Sequence, residues 1–113
     1  MMKLNDKNFH RALKNKRLVV MFAAAWAGPC NLARPTYEGA AEDLREKAAF
    51  AEFDIDDNPA TPETYGVRAL PTFILFENGV PATVKAGAIP ARAIHEMVDP
   101  PPPVKGKKAK RQT

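Results

Sequence analysis

The chain has 113 residues, with 17 Lys and Arg against 13 Asp and Glu and a single Cys, for a formal charge of +4. That length fits one small domain, since domains run from about 50 to about 250 residues, and one cysteine excludes an internal disulfide framework and a multi-cysteine zinc site. The hydrophobic fraction of 45% excludes wholesale disorder, and the longest apolar run, Leu18 to Pro29, is too short for a membrane helix of about 20 residues.

The first residues hold no apolar stretch between a charged start and a small-residue cleavage site. No signal peptide is expected, and a reduced, cytoplasmic setting follows as the expectation. Asn5 or Asp6 is predicted to cap a helix over 7–15, with Phe9 and Leu13 on its buried face. Leu18 to Ala23 is a continuous apolar run with β-branched members, as a strand buried on both faces requires. Gly28-Pro29 ends it. A long helix is predicted from there to about Ala48, with Leu32, Ala40, Leu44 and Ala48 on one face. Pro35 lies inside that helix and predicts a kink, because it removes a backbone donor.

Ala49 to Ile55 reads as a second strand. Asn58-Pro59 opens a loop, and Thr61-Pro62-Glu63 opens a short helix with Pro62 at its first position. Thr72 to Phe76 is a third strand. Asn78-Gly79 signals a hairpin into a strand over about Ala82 to Ala86. Gly87 ends that strand, and a last helix covers about Pro90 to Val98, with Ile94 and Val98 facing in. The order α, β, α, β, α, β, β, α implies a mixed sheet with helices on both faces. The first two strands are then joined by a right-handed crossover through the long helix.

The charge belongs to the end of the chain. Residues 99–113 hold five basic side chains and one acidic one, whereas residues 1–98 hold 12 of each. The domain is therefore expected to span 1–98. Residues 99–113 read as a polyproline spacer, Pro100 to Pro103, followed by a disordered basic tail. Basic side chains also crowd residues 3–17. No aromatic or glycine pattern accompanies either segment, so nucleic acid is not the expected partner, and any such contact would run through the tail.

Trp26-Ala27-Gly28-Pro29-Cys30-Asn31, where the first strand meets the long helix, resembles the active site of the thioredoxin family, a Trp-Cys-Gly-Pro-Cys loop. The likeness extends to Pro35, to Asp54-Ile55-Asp56-Asp57-Asn58-Pro59, to Tyr65-Gly66-Val67-Arg68-Ala69-Leu70-Pro71-Thr72, and to Asn78-Gly79 and Gly87-Ala88. It covers about residues 4–98 without insertion. The resemblance implies a three-layer α/β/α sandwich around a mixed sheet of about four strands, with a shortened N-terminal strand. It also implies a cis Leu70-Pro71 bond. The activity implied is reduction of protein disulfides through two thiols, with thioredoxin reductase or another thiol donor as redox partner and no cofactor.

Four departures bear on that activity. Ala27 stands where the family has its nucleophilic cysteine, whose thiolate a helix N-terminus stabilises. Cys30, the resolving thiol, remains, but a dithiol–disulfide cycle cannot run on one sulfur. Met21 stands where the family often keeps a buried aspartate, and Glu52 where many members have a lysine. Glu52 is thus either a relocated proton acceptor for Cys30 or an ordinary strand residue pointing to solvent. Lastly, only Met1 to Leu4 precede the first helix, which exposes a sheet edge and a route to weak dimers. A monomer or weak dimer is expected. Ala27 is either a substitution in an active enzyme or the mark of a member that binds without reacting.

The remaining site residues follow from the likeness. A substrate segment would lie across Trp26, Gly28, Pro29, Leu70, Pro71 and Gly87. Trp26 could instead be a core aromatic, and Gly87 could simply end a strand. His10 and His95 are single and lack ligand-spaced neighbours, so no metal is expected. Asp54, Asp56 and Asp57 read as solvated loop residues.

Overall fold

The structure, a computed structural model, describes residues 1–102. Strand β1, Met2–Leu4, is followed by helix α1, Phe9–Ala12, and strand β2, Arg17–Ala23. Helix α2 spans Gly28–Asp43, strand β3 Ala49–Asp54 and helix α3 Ala60–Thr64. Strands β4, Thr72–Glu77, and β5, Val80–Ala86, precede helix α4, Ala91–Val98. The strands form one five-stranded sheet in the order β1-β3-β2-β4-β5. The β1–β3 and β2–β3 pairs are parallel, and β4 runs antiparallel to β2 and β5. The sheet thus holds four full strands and the expected short fifth, Met2–Leu4, on the β3 edge.

Alternation along β2 explains the three layers. Val19, Met21 and Ala23 share one core with Cys30, Ala33, Tyr37, Ala40 and Leu44 of the α2 side and Ile94, Met97 and Val98 of α4. Leu18, Val20 and Phe22 share the other with Leu4, Phe9, Ala12, Phe53, Ile74 and Phe76, with Tyr65 and Val67 packed against it. Every residue from Leu18 to Ala24 is buried, as a strand covered on both faces must be.

Several local expectations need correction. Helix α1 is four residues long rather than nine, and Leu13 is only half-buried beyond its end. The Asn5 side chain accepts the Lys7 and Asn8 amides, closing the turn before it. Asp6 caps a different helix: its carboxylate accepts the amides of Ala60 and Thr61 at the start of α3, at 3.0 and 2.9 Å. That helix begins at Ala60, so Pro62 is its third residue, still within the first turn where no donor is missed. Leu32 is not on the buried face of α2; it is 80% exposed. The phase of α2 is set by Cys30, Ala33, Tyr37, Ala40, Ala41 and Leu44, a spacing of three and four that leaves position 32 outside. The helix carries Pro35 in its interior and ends at Asp43, short of Ala48.

The hairpin agrees with its signal. Asn78 and Gly79 both have positive φ, 54° and 82°, the backbone a two-residue turn of this hand needs. Pro81 sits in edge strand β5, where a missing donor costs no ladder bond. Pro100 is exposed, and Asp99 pairs with Lys47. The expected tail lies, from residue 103 onward, outside the described residues.

Tyr37 is fully buried beneath the sheet's α2 face. Its hydroxyl lies 2.6 Å from the Ala51 carbonyl and 3.1 Å from that of Val19, tying α2 to β3 and β2. Burial pushes its phenol well above the ordinary value, so it remains a donor at every working pH. Tyr37→Phe removes that donor and keeps the ring. It is expected to lower unfolding free energy by about 1 kcal/mol, read from the urea midpoint at unchanged slope.

Candidate active site

The end of β2 and the start of α2 place the loop. Ala24 is buried, Ala25 is exposed, and Trp26 projects with 69% of its surface free, so it is a surface aromatic rather than a core one. Its indole Nε1 donates to Asp56 Oδ1 at 2.8 Å. Asp56 is therefore a partner that holds Trp26, where the sequence suggested only a solvated loop acid. Ala27 is the residue preceding α2, with extended backbone at φ −91° and ψ 113°. Its carbonyl accepts the amides of Cys30 and Asn31 at 3.1 and 3.2 Å. Gly28 and Pro29 follow in the exposed first turn, where a proline is compatible with the helix.

Cys30 is fully buried, and Ala27 is 7% exposed; both belong to the core cluster between the sheet and α2. Leu70 and Ile89 pack against that same cluster. The Leu70–Pro71 bond is cis. Gly87, at φ 86°, donates its amide to the Pro71 carbonyl at 2.7 Å, so these two segments are one unit. The structure thus gathers Ala27, Cys30 and Leu70 at one cluster and ties Pro71 to Gly87 beside it. Trp26, Gly28 and Pro29 form the exposed rim.

Glu52 does not point to solvent. It is 8% exposed and lies opposite Met21 in the β2–β3 register. Arg34 Nε donates to both its oxygens, at 3.2 and 3.1 Å, and Arg34 Nη2 to Oε2 at 2.7 Å. Lys3 Nζ adds a bond to Oε1 at 3.1 Å. Burial pushes the Glu52 carboxyl up, but the Arg34 and Lys3 bonds outweigh it and hold the group below its ordinary value. The sign of the pH effect follows. A carboxyl depressed in the folded state contributes stability above its unfolded value, near 4.5, and loses it as pH falls through the lower folded value. The protein is expected to lose stability as pH drops below about 4.5, and Glu52→Gln to flatten that acid limb in a series of urea midpoints.

Reasoning from sequence missed Arg34, Asn31 and Lys3. Arg34 carried one signal, its place four residues after Cys30 on the same helix. His95 also gains a partner, since its Nε2 lies 3.4 Å from Asp43 Oδ2 on α2. His10 is an exposed helix residue. No helix among the described residues is long and apolar enough to cross a membrane.

The arrangement is a strand-to-helix loop with a buried thiol in its first turn, flanked by a cis proline segment. The thioredoxin family model matches residues 1–100 of the chain. The chain belongs to the thioredoxin family. Among thioredoxins, it is 42% identical to that of Rhodospirillum rubrum over 80 residues, covering 71% of this chain and 77% of that protein. It is 39% identical to the thioredoxin of Alicyclobacillus acidocaldarius over 98 residues, covering 86% of this chain and 93% of the relative. The thioredoxin of Chlorobaculum thiosulfatiphilum is 34% identical over 96 residues, with 83% and 89% covered. The family is one of thiol–disulfide oxidoreductases that act on protein disulfides with reductase partners.

Proposed function

We propose that the chain is a thioredoxin whose dithiol site lacks its attacking sulfur, so that it is inactive as written and active once a thiol stands at position 27. The observation that carries this reading is the setting of Ala27. It precedes the first turn of a 16-residue helix, with Cys30 three residues on and buried in the same cluster. A methyl group there has no lone pair to give a disulfide.

With a thiol at 27, the cycle balances. The thiolate attacks one sulfur of a substrate disulfide, forming a mixed disulfide, and the displaced sulfur leaves as a thiolate that takes up a proton. Cys30 gives its proton to the displaced substrate thiolate or to water and attacks the sulfur at 27; the bond from that sulfur to the second substrate sulfur breaks, and the second substrate sulfur leaves as a thiolate that is protonated from solvent. The substrate gains two electrons, and the new bond at 27 and 30 is reduced by thioredoxin reductase or another thiol donor. The helix N-terminus favours the attacking thiolate. Trp26, Gly28, Pro29, Leu70, Pro71 and Gly87 would hold the substrate segment, in the cytoplasm, with the protein working as a monomer or weak dimer.

A second reading rests on the chemistry of Ala27 itself: a non-catalytic module that holds an extended peptide in the same groove. In that reading residues 1–98 bind, and the basic residues 99–113 add affinity for an acidic partner. Insulin reduction with a thiol donor separates the two. The chain is expected to be inert and Ala27→Cys active; an inert but folded Ala27→Cys supports the binding module instead.

A further inference from the structure

Arg34 does more than neutralise Glu52. While Nε and Nη2 hold the Glu52 carboxylate, Nη1 donates to Asn31 Oδ1 at 2.7 Å. Asn31 in turn donates Nδ2 to the Ala25 carbonyl at 3.0 Å. An unbroken path therefore runs Lys3–Glu52–Arg34–Asn31–Ala25, from edge strand β1 through β3 and α2 to the residue before Trp26. It closes a ring around the loop, because Asn31 follows Cys30 and Ala25 precedes Trp26. On the far side, Asp56 holds the Trp26 indole.

We propose that Arg34 is the positioning residue of this loop, anchored by Glu52 and acting through Asn31 to fix Ala25–Cys30. The proposal rests on the reading of the loop as a thiol–disulfide site for its purpose, and on the hydrogen bonds alone for its content.

It also gives Glu52 a role. A general base needs an open lone pair and an affinity for protons near the working pH. Both Glu52 oxygens are engaged, and three charge-assisted donor groups hold it ionised. Glu52 is the anchor of the brace rather than a proton acceptor for Cys30. Arginine suits the central place because its planar fork reaches the carboxylate with two nitrogens and leaves a third for Asn31. A lysine ammonium has no such geometry.

The surroundings leave this path as the polar hold on the loop from below. Met21, Phe73, Ile94, Met97 and Val98, which share the cluster of Cys30, are apolar. Of the charged residues on α4, Arg92 and Glu96 are exposed, and His95 pairs with Asp43. Glu38, one turn beyond Arg34 on α2, is exposed.

Amide hydrogen exchange on the full chain tests the brace without any turnover. The reporter is the Ala27 amide, which donates to the Ala24 carbonyl at 3.1 Å inside the loop. Asn31→Ala and Arg34→Met are each expected to speed its exchange about tenfold, with the Val20 and Ala51 amides of the central strands unchanged. Arg34→Lys is expected not to restore protection, and the Asn31→Ala/Arg34→Met double variant to add nothing beyond either single change. Asn31→Ala leaves the ion pair in place, so the test stands even if Arg34→Met unfolds. Unchanged Ala27 exchange overturns the proposal, as does equal acceleration across the domain or full protection in Arg34→Lys. None of these outcomes depends on whether Ala27→Cys reduces disulfides.

Discussion

Ala27→Cys is expected to raise insulin reduction by at least about a thousandfold over the chain as it stands, the scale on which removing a covalent nucleophile acts. The gain is large because nothing else in the site can replace the missing step. Cys30 is fully buried, and no other cysteine exists in the chain. The backbone needs no rebuilding, since Ala27 already has the extended conformation of a residue preceding a helix. The exchange adds one sulfur at a nearly covered side chain, so the urea midpoint of Ala27→Cys is measured beside its turnover to show that the variant is folded. Cys30→Ser on the Ala27→Cys background is expected to abolish turnover while retaining a trapped mixed disulfide with substrate, because the attack remains and its resolution does not. Comparable turnover by the unaltered chain contradicts this account of the site.

Phe9→Ala is expected to cost about 3–5 kcal/mol, measured by urea denaturation. Phe9 is 5% exposed, and its ring lies 5.5 to 6.5 Å from those of Phe22, Phe53, Tyr65 and Phe76. Helix α1 has four residues, far too few to persist without tertiary contacts. Phe9, the larger of the two buried residues of α1 beside Ala12, therefore carries most of the packing that holds α1 over Leu18, Val20 and Phe22. Against a total stability of about 5–15 kcal/mol, the loss leaves little margin. A cost below about 1 kcal/mol would mean that α1 is dispensable for the second core, contrary to the packing seen.

What the sequence conveyed well was periodicity with a single meaning. The length and β-branched content of Leu18 to Ala23, the Asn78-Gly79 turn and the i,i+4 spacing of Ile94 and Val98 each favour one local structure, and the protein adopts it. Reading failed where one residue type served two purposes. Helical spacing groups Leu32 with Ala40, Leu44 and Ala48, yet Cys30, Ala33 and Tyr37 set the phase of α2 and leave Leu32 exposed. Tyr37, with its polar tip, gave no clear sign that two strand carbonyls would receive it. Asp6 read as the cap of the nearest helix, although its carboxylate serves α3, 54 residues away in sequence. At the site, the motif named the loop from Trp26 to Cys30, but not what holds it. Arg34 to Glu52, Lys3 to Glu52 and Trp26 to Asp56 pair across elements, which leaves no fixed spacing in the chain; only Asn31 and Arg34, three residues apart on α2, kept one. A carboxylate in a strand marks Glu52 in the sequence, while its partners Arg34 and Lys3 meet it only in three dimensions.

The claim that position 27 and Cys30 are the two halves of a dithiol site, one of them without its sulfur, is tested most directly by oxidising Ala27→Cys. A mild oxidant is expected to form one internal disulfide between the introduced thiol and Cys30. The product should be monomeric, lighter by two hydrogens, and closed to alkylation until reduced. Two thiols that both alkylate after oxidation, or a product linked only between molecules, would contradict the account.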